Sequence, residues 1–376
     1  AVLYRTNAQS RVFEDTMRKE AIPYRIYGGL SFYQRKEIKD VIAYFRLAVN
    51  PNDEEAFKRV INYPARGIGQ TTVSKILQTA TAHEVSLWTV ISSPEQYELG
   101  VNKGTLTKIG AFREMIASFV ENVQTMAANQ IGTMIVKQSG IIADIYQDKT
   151  PENLSRQENV EELINGMQDF CDMRMEEGNE NISLSDYLSE VSLMSDVDSD
   201  KGSDEPKVTL MTIHSAKGLE FGTVFVVGLE EGLFPSDMVS GNPREMEEER
   251  RLFYVAITRA KTHCYLSYAQ CRFRYGQMEF SAPSRFLKDI DPKYLDRQQS
   301  MFSTRRSMED DVQLPWQRKE GLRPFRPTMP SIKPIPAARP ASITSSINPI
   351  NPIPSGHTSS LSVGTHILHN RFGRGE

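Results

Sequence analysis

The hydrophobic period of this chain changes twice along its length, and that double change restricts the fold more than any other feature. The first stretch alternates strand and helix signals. Ala1–Tyr4 is an apolar run ending at Arg5-Thr6-Asn7, Ala8–Glu20 carries helix-compatible spacing with Val12 and Met17, and Tyr24–Tyr27 reads as a second strand stopped by Gly28-Gly29. Ile38, Val41, Ile42, Phe45 and Val49 then recur at three- and four-residue steps, which predicts an amphipathic helix over Arg35–Val49, ended by Pro51. Onward to about residue 203 the period is helical, with apolar faces around Phe57–Ile61, Val73–Leu77, Ile109–Phe119, Ile131–Val136 and Val160–Phe170. Glu176–Asp200 is acidic without a basic residue and reads as a solvated loop with a short helix around Leu184–Leu193. At Lys207 the strand period returns. Val208–Ile213 and Val224–Leu229 are near-continuous apolar runs, which suit parallel strands covered on both faces, with the polar loop His214–Gly218 between them. Glu245–Ala256 reads as a helix and Cys264–Tyr268 as a further strand.

The fold class that follows is α/β: a parallel-sheet domain interrupted by an all-helical insertion and followed by a disordered tail. Its parts are residues 1–30 and 206–292 for the α/β domain, 31–205 for the insertion, 293–358 for a basic Pro/Ser-rich linker, and 359–376 for the start of a truncated β-module. The linker assignment rests on composition, because ten of the twenty prolines fall between Pro315 and Pro354. A formal net charge of −4 rules out a globally basic nucleic-acid binder, so any such surface must be local. Cys171, Cys264 and Cys271 form no CxxC pair, which argues against a disulfide framework or a structural zinc and fits a reducing, cytoplasmic setting. No apolar stretch approaches the ~20 residues that span a bilayer, and no signal peptide is visible. Ala1 lies inside what reads as a buried strand, which predicts that an N-terminal part is missing.

Two clusters carry chemistry. Thr212-Ile213-His214-Ser215-Ala216-Lys217-Gly218-Leu219-Glu220 delivers donors and one acid to the carboxyl end of a strand, the end where open α/β sheets bind ligands. Lys217 and the hydroxyls suit a phosphate backbone and Glu220 a ribose hydroxyl; the alternative is an ordinary polar loop. The second cluster is Glu247–Lys261, whose acidic start and basic middle suit a solvated helix. Arg259 differs, since it follows an apolar stretch beside Thr258 where the chain heads into a strand, a place from which a guanidinium can reach a transferring phosphoryl group. A third feature, Arg66-Gly67-Ile68-Gly69 before Thr71-Thr72, reads either as a tight interhelical turn or as a close backbone approach to phosphate. Phe32 and Tyr33 remain open between base-stacking and core roles, whereas Phe45 lies on an apolar stripe. His263, His366 and His369 have no partners at metal spacing, so no metal site is assigned.

Taken together, the two clusters resemble motifs V and VI of the UvrD/PcrA/Rep family of superfamily 1 DNA helicases. The resemblance runs almost continuously over 1–287, through Val2–Arg11, Tyr27–Tyr33, Arg35–Asp40, Arg66–Gly69, Glu230–Pro235 and Pro283–Phe286. It implies that the α/β domain is the second RecA-like motor domain and the helical block the insertion named 2B. It further implies that Arg259 contacts the γ-phosphate of ATP and that Glu220 lies at the nucleotide ribose. His214, Ser215 and Lys217 would couple ATP to single-stranded DNA, and Arg5 and Asn7 would contact DNA. Glu249 would lie near its path, and Gly67, Ile68 and Gly69 would grip duplex DNA. Ala256 stands where relatives often carry Gly, and Ser31 and Ser236 where some place a Lys and a His that touch DNA.

No GxxxxGK(S/T) loop occurs in the chain, nor the Asp-Glu box that holds magnesium. The resemblance therefore implies half of an ATPase site, with ATP and Mg2+ held mainly by an N-terminal motor domain upstream. The expected parent is an ATP-dependent 3′-to-5′ DNA helicase of repair or replication, acting on single-stranded and duplex DNA. Its tail would reach RNA polymerase or repair proteins, with no membrane contact. The rivals are a helicase–nuclease subunit and a non-enzymatic DNA-binding or docking module.

Overall fold

The structure is a computed structural model that describes residues 1–148, 150–197, 206–239, 241–274, 277–296, 367–369 and 373–375. In chain order its elements are β1 (Val2–Tyr4), α1 (Ser10–Lys19), β2 (Tyr24–Ile26), α2 (Lys36–Val49), α3 (Glu54–Val60), α4 (Gln70–His83), α5 (Leu87–Ser92) and α6 (Lys103–Val123). There follow α7 (Ala128–Gln138), α8 (Ile141–Ile145), α9 (Pro151–Glu176), α10 (Leu184–Val197), β3 (Val208–Thr212), β4 (Phe221–Val226), α11 (Pro243–Ile257), β5 (Ala260–Leu266), β6 (Cys271–Arg274) and β7 (Gln277–Phe280). The residues from 299 onward form a separate unit, in which Ile367–His369 (β8) pairs antiparallel with Gly373–Gly375 (β9). The predicted disordered linker lies, from residue 297 to 358, outside the described residues.

Strands β2-β3-β1-β4-β5 form one parallel sheet in that order. β1 is central because its three residues are apolar on both faces. Leu3 packs with Met211, Val224, Val226 and Phe253, the last on α11, while Val2 and Tyr4 pack on the opposite side with Leu210 and with Phe13 and Met17 of α1. Leu3→Ala would cost about 2–5 kcal/mol at such a site. Two expectations need correction here. The second strand of the returning β/α part is Phe221–Val226 and not Val224–Leu229, because Phe221 N–H already pairs with Arg259 C=O and the chain turns at Gly228, φ +72°. Nor is that half of the sheet covered on both faces: Phe225 and Tyr265 are exposed and stack on each other at 4.7 Å, since β5 is the outermost strand.

The helices α2–α10 share a second core built around α2, whose Val41, Tyr44, Phe45 and Ala48 are fully buried. Phe32 and Tyr33 join it edge to face at 5.2 Å, which gives both of them a core role and leaves neither as a stacking platform. The short helix expected around Leu184–Leu193 is α10, which runs on to Val197 and is not merely solvated, because it sends Leu184, Tyr187 and Val191 into that core. Tyr187 meets Phe170 edge-on at 5.5 Å, while Asp186 binds Ser183 and Glu190 lies 3.4 Å from Arg174. Asp186 and Glu190 thus flank an apolar stripe at helical spacing.

Sheet and helical block meet through charge. Arg11 of α1 reaches Glu162 at 2.8 Å and Asp169 at 3.0 Å on α9, and Asp15 at 3.2 Å on its own helix. Gly166 of α9 admits it: a Cβ there would stand 2.7 Å from the guanidinium. Beside this hub, Arg35 donates to Ser10 Oγ and Asn159 Oδ1, each at 2.7 Å, and the buried Glu14 accepts from Ser31 Oγ at 2.6 Å.

Candidate functional site

The strand register divides the expected site residues into two groups. Because β1, β3, β4 and β5 are parallel, residues that follow β1 and β3 lie at the carboxyl end of the sheet, and residues that precede β4 and β5 lie at its amino end. Arg5 follows β1 and His214 follows β3, whereas Glu220 precedes β4 and Arg259 precedes β5. The single-cluster expectation at the carboxyl end is therefore corrected. The loop 213–220 runs from one end of the sheet to the other, and only its first half lies where the sequence pattern put the whole.

At the carboxyl end, Gln9 shapes the turn after β1: its Oε1 accepts from the N–H groups of Arg5 and Thr6, both at 2.9 Å. Arg5 then forks onto Glu249 of α11, with Nη2 at 2.6 Å and Nε at 3.0 Å from Oε1. Glu249 is buried, 6% exposed, so it orients Arg5 and does not itself face a ligand. Asn7 is exposed at the start of a 3-10 turn. His214 is exposed beside this pair; burial of part of its ring, then the Arg5 charge, push its pKa down, so the ring is neutral at pH 7. Ser215 is held more tightly, its Oγ 2.9 Å from Thr212 Oγ1 and pressed against Gly28, where a Cβ would stand 2.8 Å from that oxygen. Lys217 is exposed just before Gly218, φ +85°, where the loop turns toward the amino end.

At the amino end, Arg259 caps the junction of α11 and β5. Its backbone C=O accepts from Phe221 N–H at 2.9 Å, which locks β5 to β4. Its guanidinium donates to Val255 C=O, Leu219 C=O and Thr258 Oγ1, each at 3.0 Å. All three acceptors are neutral, and the side chain is half-exposed, so its charge is positioned without being cancelled. Glu220 is exposed next to it and lies 3.6 Å from Lys261. An arginine held by neutral oxygens beside an open carboxylate fits a nucleotide's phosphate and ribose hydroxyl. Among the described residues no group of three or more His, Cys, Asp or Glu could hold a metal ion, and no helix is long and apolar enough to cross a membrane.

The third group stands apart, in the helical block. Gly67 takes φ +69°, Gly69 is the N-cap of α4, and Ile68 is fully buried with its N–H on Asn62 Oδ1 at 3.0 Å. Ile68 is thus an anchor, and only the backbone of this turn can meet a ligand. Arg66 is consumed locally by Val60, Pro64 and Ser139 carbonyls and by the rings of Tyr44 and Phe112.

The UvrD-like helicase C-terminal domain family matches residues 1–271. The chain belongs to that family. Among curated relatives, the ATP-dependent DNA helicase PcrA of Leuconostoc citreum is 36% identical over 376 residues, which is 100% of this chain and 48% of the relative. The protein of the same name from Staphylococcus aureus (strain Mu50) is 39% identical over 304 residues, 80% of this chain and 40% of its own length. The one from Staphylococcus epidermidis is 40% identical over 300 residues, 79% and 40%. The chain spans about half the length of these relatives, or less.

Three supports of this UvrD-like domain carried little sequence signal. Gln9 looks like a surface glutamine, and only its spacing from Thr6, a capping box, marks it. Gly28 is a turn glycine whose neighbour Ser215 is remote in sequence. Glu230, 1% exposed, accepts Ala269 N–H and Arg272 Nε, each at 2.6 Å, and so ties the loop after β4 to the β6–β7 hairpin.

Proposed function

We propose that this chain is the C-terminal part of an ATP-dependent DNA helicase that moves 3′ to 5′ on single-stranded DNA and unwinds duplex in repair or replication. The observation that carries the reading is Arg259: a guanidinium fixed at the amino end of a parallel sheet by three neutral oxygens, with its charge intact. ATP, when bound with Mg2+, supplies the free energy of phosphoryl transfer to water. Arg259 would hold its γ-phosphate and Glu220 its ribose hydroxyl, while the phosphate loop and magnesium ligands come from a partner lobe. Arg5 and Asn7 would hold the strand at the carboxyl end, with His214, Ser215 and Lys217, and Glu249 would keep Arg5 aimed. The loop 213–220 is continuous between the two groups, so a shift at Glu220 is felt at His214 through a handful of turn hydrogen bonds.

Arg259→Ala in the full-length parent tests this. Steady-state ATPase should fall about 10³-fold or more, while affinity for single-stranded DNA without nucleotide stays within about twofold, since phosphate contacts elsewhere set it. Unchanged turnover would favour a docking module and sink the motor reading. The 376-residue chain alone should show no DNA-stimulated ATP hydrolysis, and tailed duplexes read out polarity, with unwinding expected from a 3′ tail only.

A further inference from the structure

We propose that Gly28 is a positioning residue for the loop 213–217: by lacking a side chain it seats Ser215, and through Ser215 it fixes where His214 and Lys217 stand. Gly28 has φ +76° and lies where the chain leaves β2 for the helical block. A Cβ there would stand 2.8 Å from Ser215 Oγ and 3.0 Å from Ser215 Cβ. Turning the hydroxyl aside would relieve the first contact and not the second, so the loop itself would have to move. The next residue supplies the contrast: a Cβ at Gly29 would meet only Ile26 Cγ2, at 3.9 Å, an ordinary contact. Of the two glycines, only the first is demanded by what it faces.

Which side gives way follows from the hydrogen bonds. On the Gly28 side, Tyr27 N–H donates to Leu210 C=O at 2.9 Å. The link beyond is held by the buried Glu14, which accepts from Ser31 Oγ at 2.6 Å and from Phe32 N–H at 3.1 Å. On the other side, β3 is fixed to β1 as far as Ile213, whose N–H donates to Tyr4 C=O at 2.9 Å. Past that point the loop is held by short-range bonds. Ser215 N–H donates to Thr212 Oγ1 at 3.2 Å, the hydroxyls of these two residues lie 2.9 Å apart, and Lys217 N–H donates to His214 C=O at 3.3 Å. A push on Ser215 is therefore taken up between His214 and Gly218, φ +85°, and not in either strand. A packed neighbour outside the ligand's reach thus sets the geometry of residues that face it. The functional consequence rests on the reading of His214, Ser215 and Lys217 as contacts to single-stranded DNA; the geometric claim does not.

The test is Gly28→Ala, with Gly29→Ala as the matched control and Ser215→Gly as the partner in a double-mutant cycle. The first readout is the imidazole titration of His214 by NMR, in the 376-residue chain without DNA. That pKa lies below 6.5 because part of the ring is buried and Arg5 is near. Gly28→Ala should move it toward 6.5, since a loop pushed off its seat exposes the ring, and Gly29→Ala should leave it in place. The second readout is DNA-stimulated ATPase of the full-length parent. There Gly28→Ala should raise the single-stranded DNA concentration for half-maximal stimulation about tenfold. The KM for ATP should stay within about twofold, because Arg259 and Glu220 stand at the other end of the sheet. In the Ser215→Gly background, where both opposing atoms are gone, adding Gly28→Ala should change neither readout further. Positive φ strains any L residue, so Gly28→Ala lowers the melting temperature in both backgrounds alike; only the background-dependent part reports the contact. An unmoved His214 in folded Gly28→Ala, equal kinetic losses in both backgrounds, or a Gly29→Ala that behaves like Gly28→Ala overturns the proposal. A moved His214 with unaltered stimulation upholds it and counts against the DNA role of the loop instead. If Gly28→Ala does not fold, Ser215→Thr adds bulk from the loop's side and keeps the hydroxyl. It should move His214 in the same direction, and an unmoved His214 there overturns the proposal as well.

Discussion

Two arginines of this domain sit in opposite electrostatic company. In the seam between α1 and α9, Arg11 is nearly inaccessible and faces Glu162, Asp15 and Asp169. Burial opposes its charge, but these carboxylates outweigh the cost and push its pKa well up. At the amino end of the sheet, Arg259 is half-exposed and, among the described residues, donates to three neutral oxygens. The first arrangement spends the charge inside the molecule and makes a joint; the second fixes the geometry and keeps the charge available. Partner chemistry, rather than burial alone, separates an arginine that holds the fold from one that waits for a phosphate.

The comparison breaks most sharply at Arg259. If its charge is free for a ligand, Arg259→Lys in the full-length parent should lose most of the turnover that Arg259→Ala loses, because a point charge does not reproduce the fork. Thermal stability should move by less than about 1 kcal/mol. A large stability loss with ATPase intact would make Arg259 a second joint. Arg11→Met should behave the other way round. It leaves Glu162 without its partner in the seam and Asp15 with Arg18 alone, and should cost about 3 kcal/mol by denaturant titration, with a smaller effect on turnover per folded molecule. A loss under 1 kcal/mol would show that the seam does not depend on this ion cluster.

Asp15 probes the same seam by pH. Burial, partly offset by Arg11 and Arg18, pushes its carboxyl up to about 6 from 3.8, and its Oδ1 has no hydrogen-bond partner. A folded-state pKa above the unfolded value means that the protonated form favours folding. That stabilisation is complete below the unfolded value of 3.8 and is lost as pH rises through about 6. Asp15→Asn should therefore stabilise the chain by about 1 kcal/mol near pH 8, an advantage that shrinks toward pH 5. A pH-independent difference between the two melting curves would contradict this.

The comparison also explains what the sequence could show. Apolar periodicity revealed the parallel sheet at both ends of the chain and the helical core between them, because Leu3, Met211 and Phe45 are buried for reasons local pattern encodes. It found the helix of α10 but not its buried face, because eight acids between Glu176 and Asp200 masked a stripe of Leu184, Tyr187 and Val191. It placed Glu220 with His214 because spacing along the chain says nothing about which end of a sheet a crossover loop reaches, whereas Arg259 lies, as read, where the chain enters a strand. Only the register of β3 against β1, and of β1 against β4, separates Glu220 from His214. Gln9, Gly28 and the Arg11 seam were invisible for a related reason: each is defined by a partner far away in sequence, as Arg11 is by Glu162 and Asp169.

The smallest expected effect concerns the other charge at the amino end. Glu220 and Lys261 lie 3.6 Å apart with both side chains 59% exposed, a pair that solvent screens, so Lys261→Ala should change stability by no more than about 0.5 kcal/mol. If Glu220 instead serves the ribose hydroxyl, Glu220→Gln in the full-length parent should raise the KM for ATP several-fold. It should narrow the preference for ATP over 2′-deoxy-ATP, while Lys261→Ala leaves both untouched. Equal changes from the two substitutions would mean that the exposed ion pair, and not an acceptor for the sugar, is what Glu220 contributes, and the amino end would then hold its ligand by Arg259 alone.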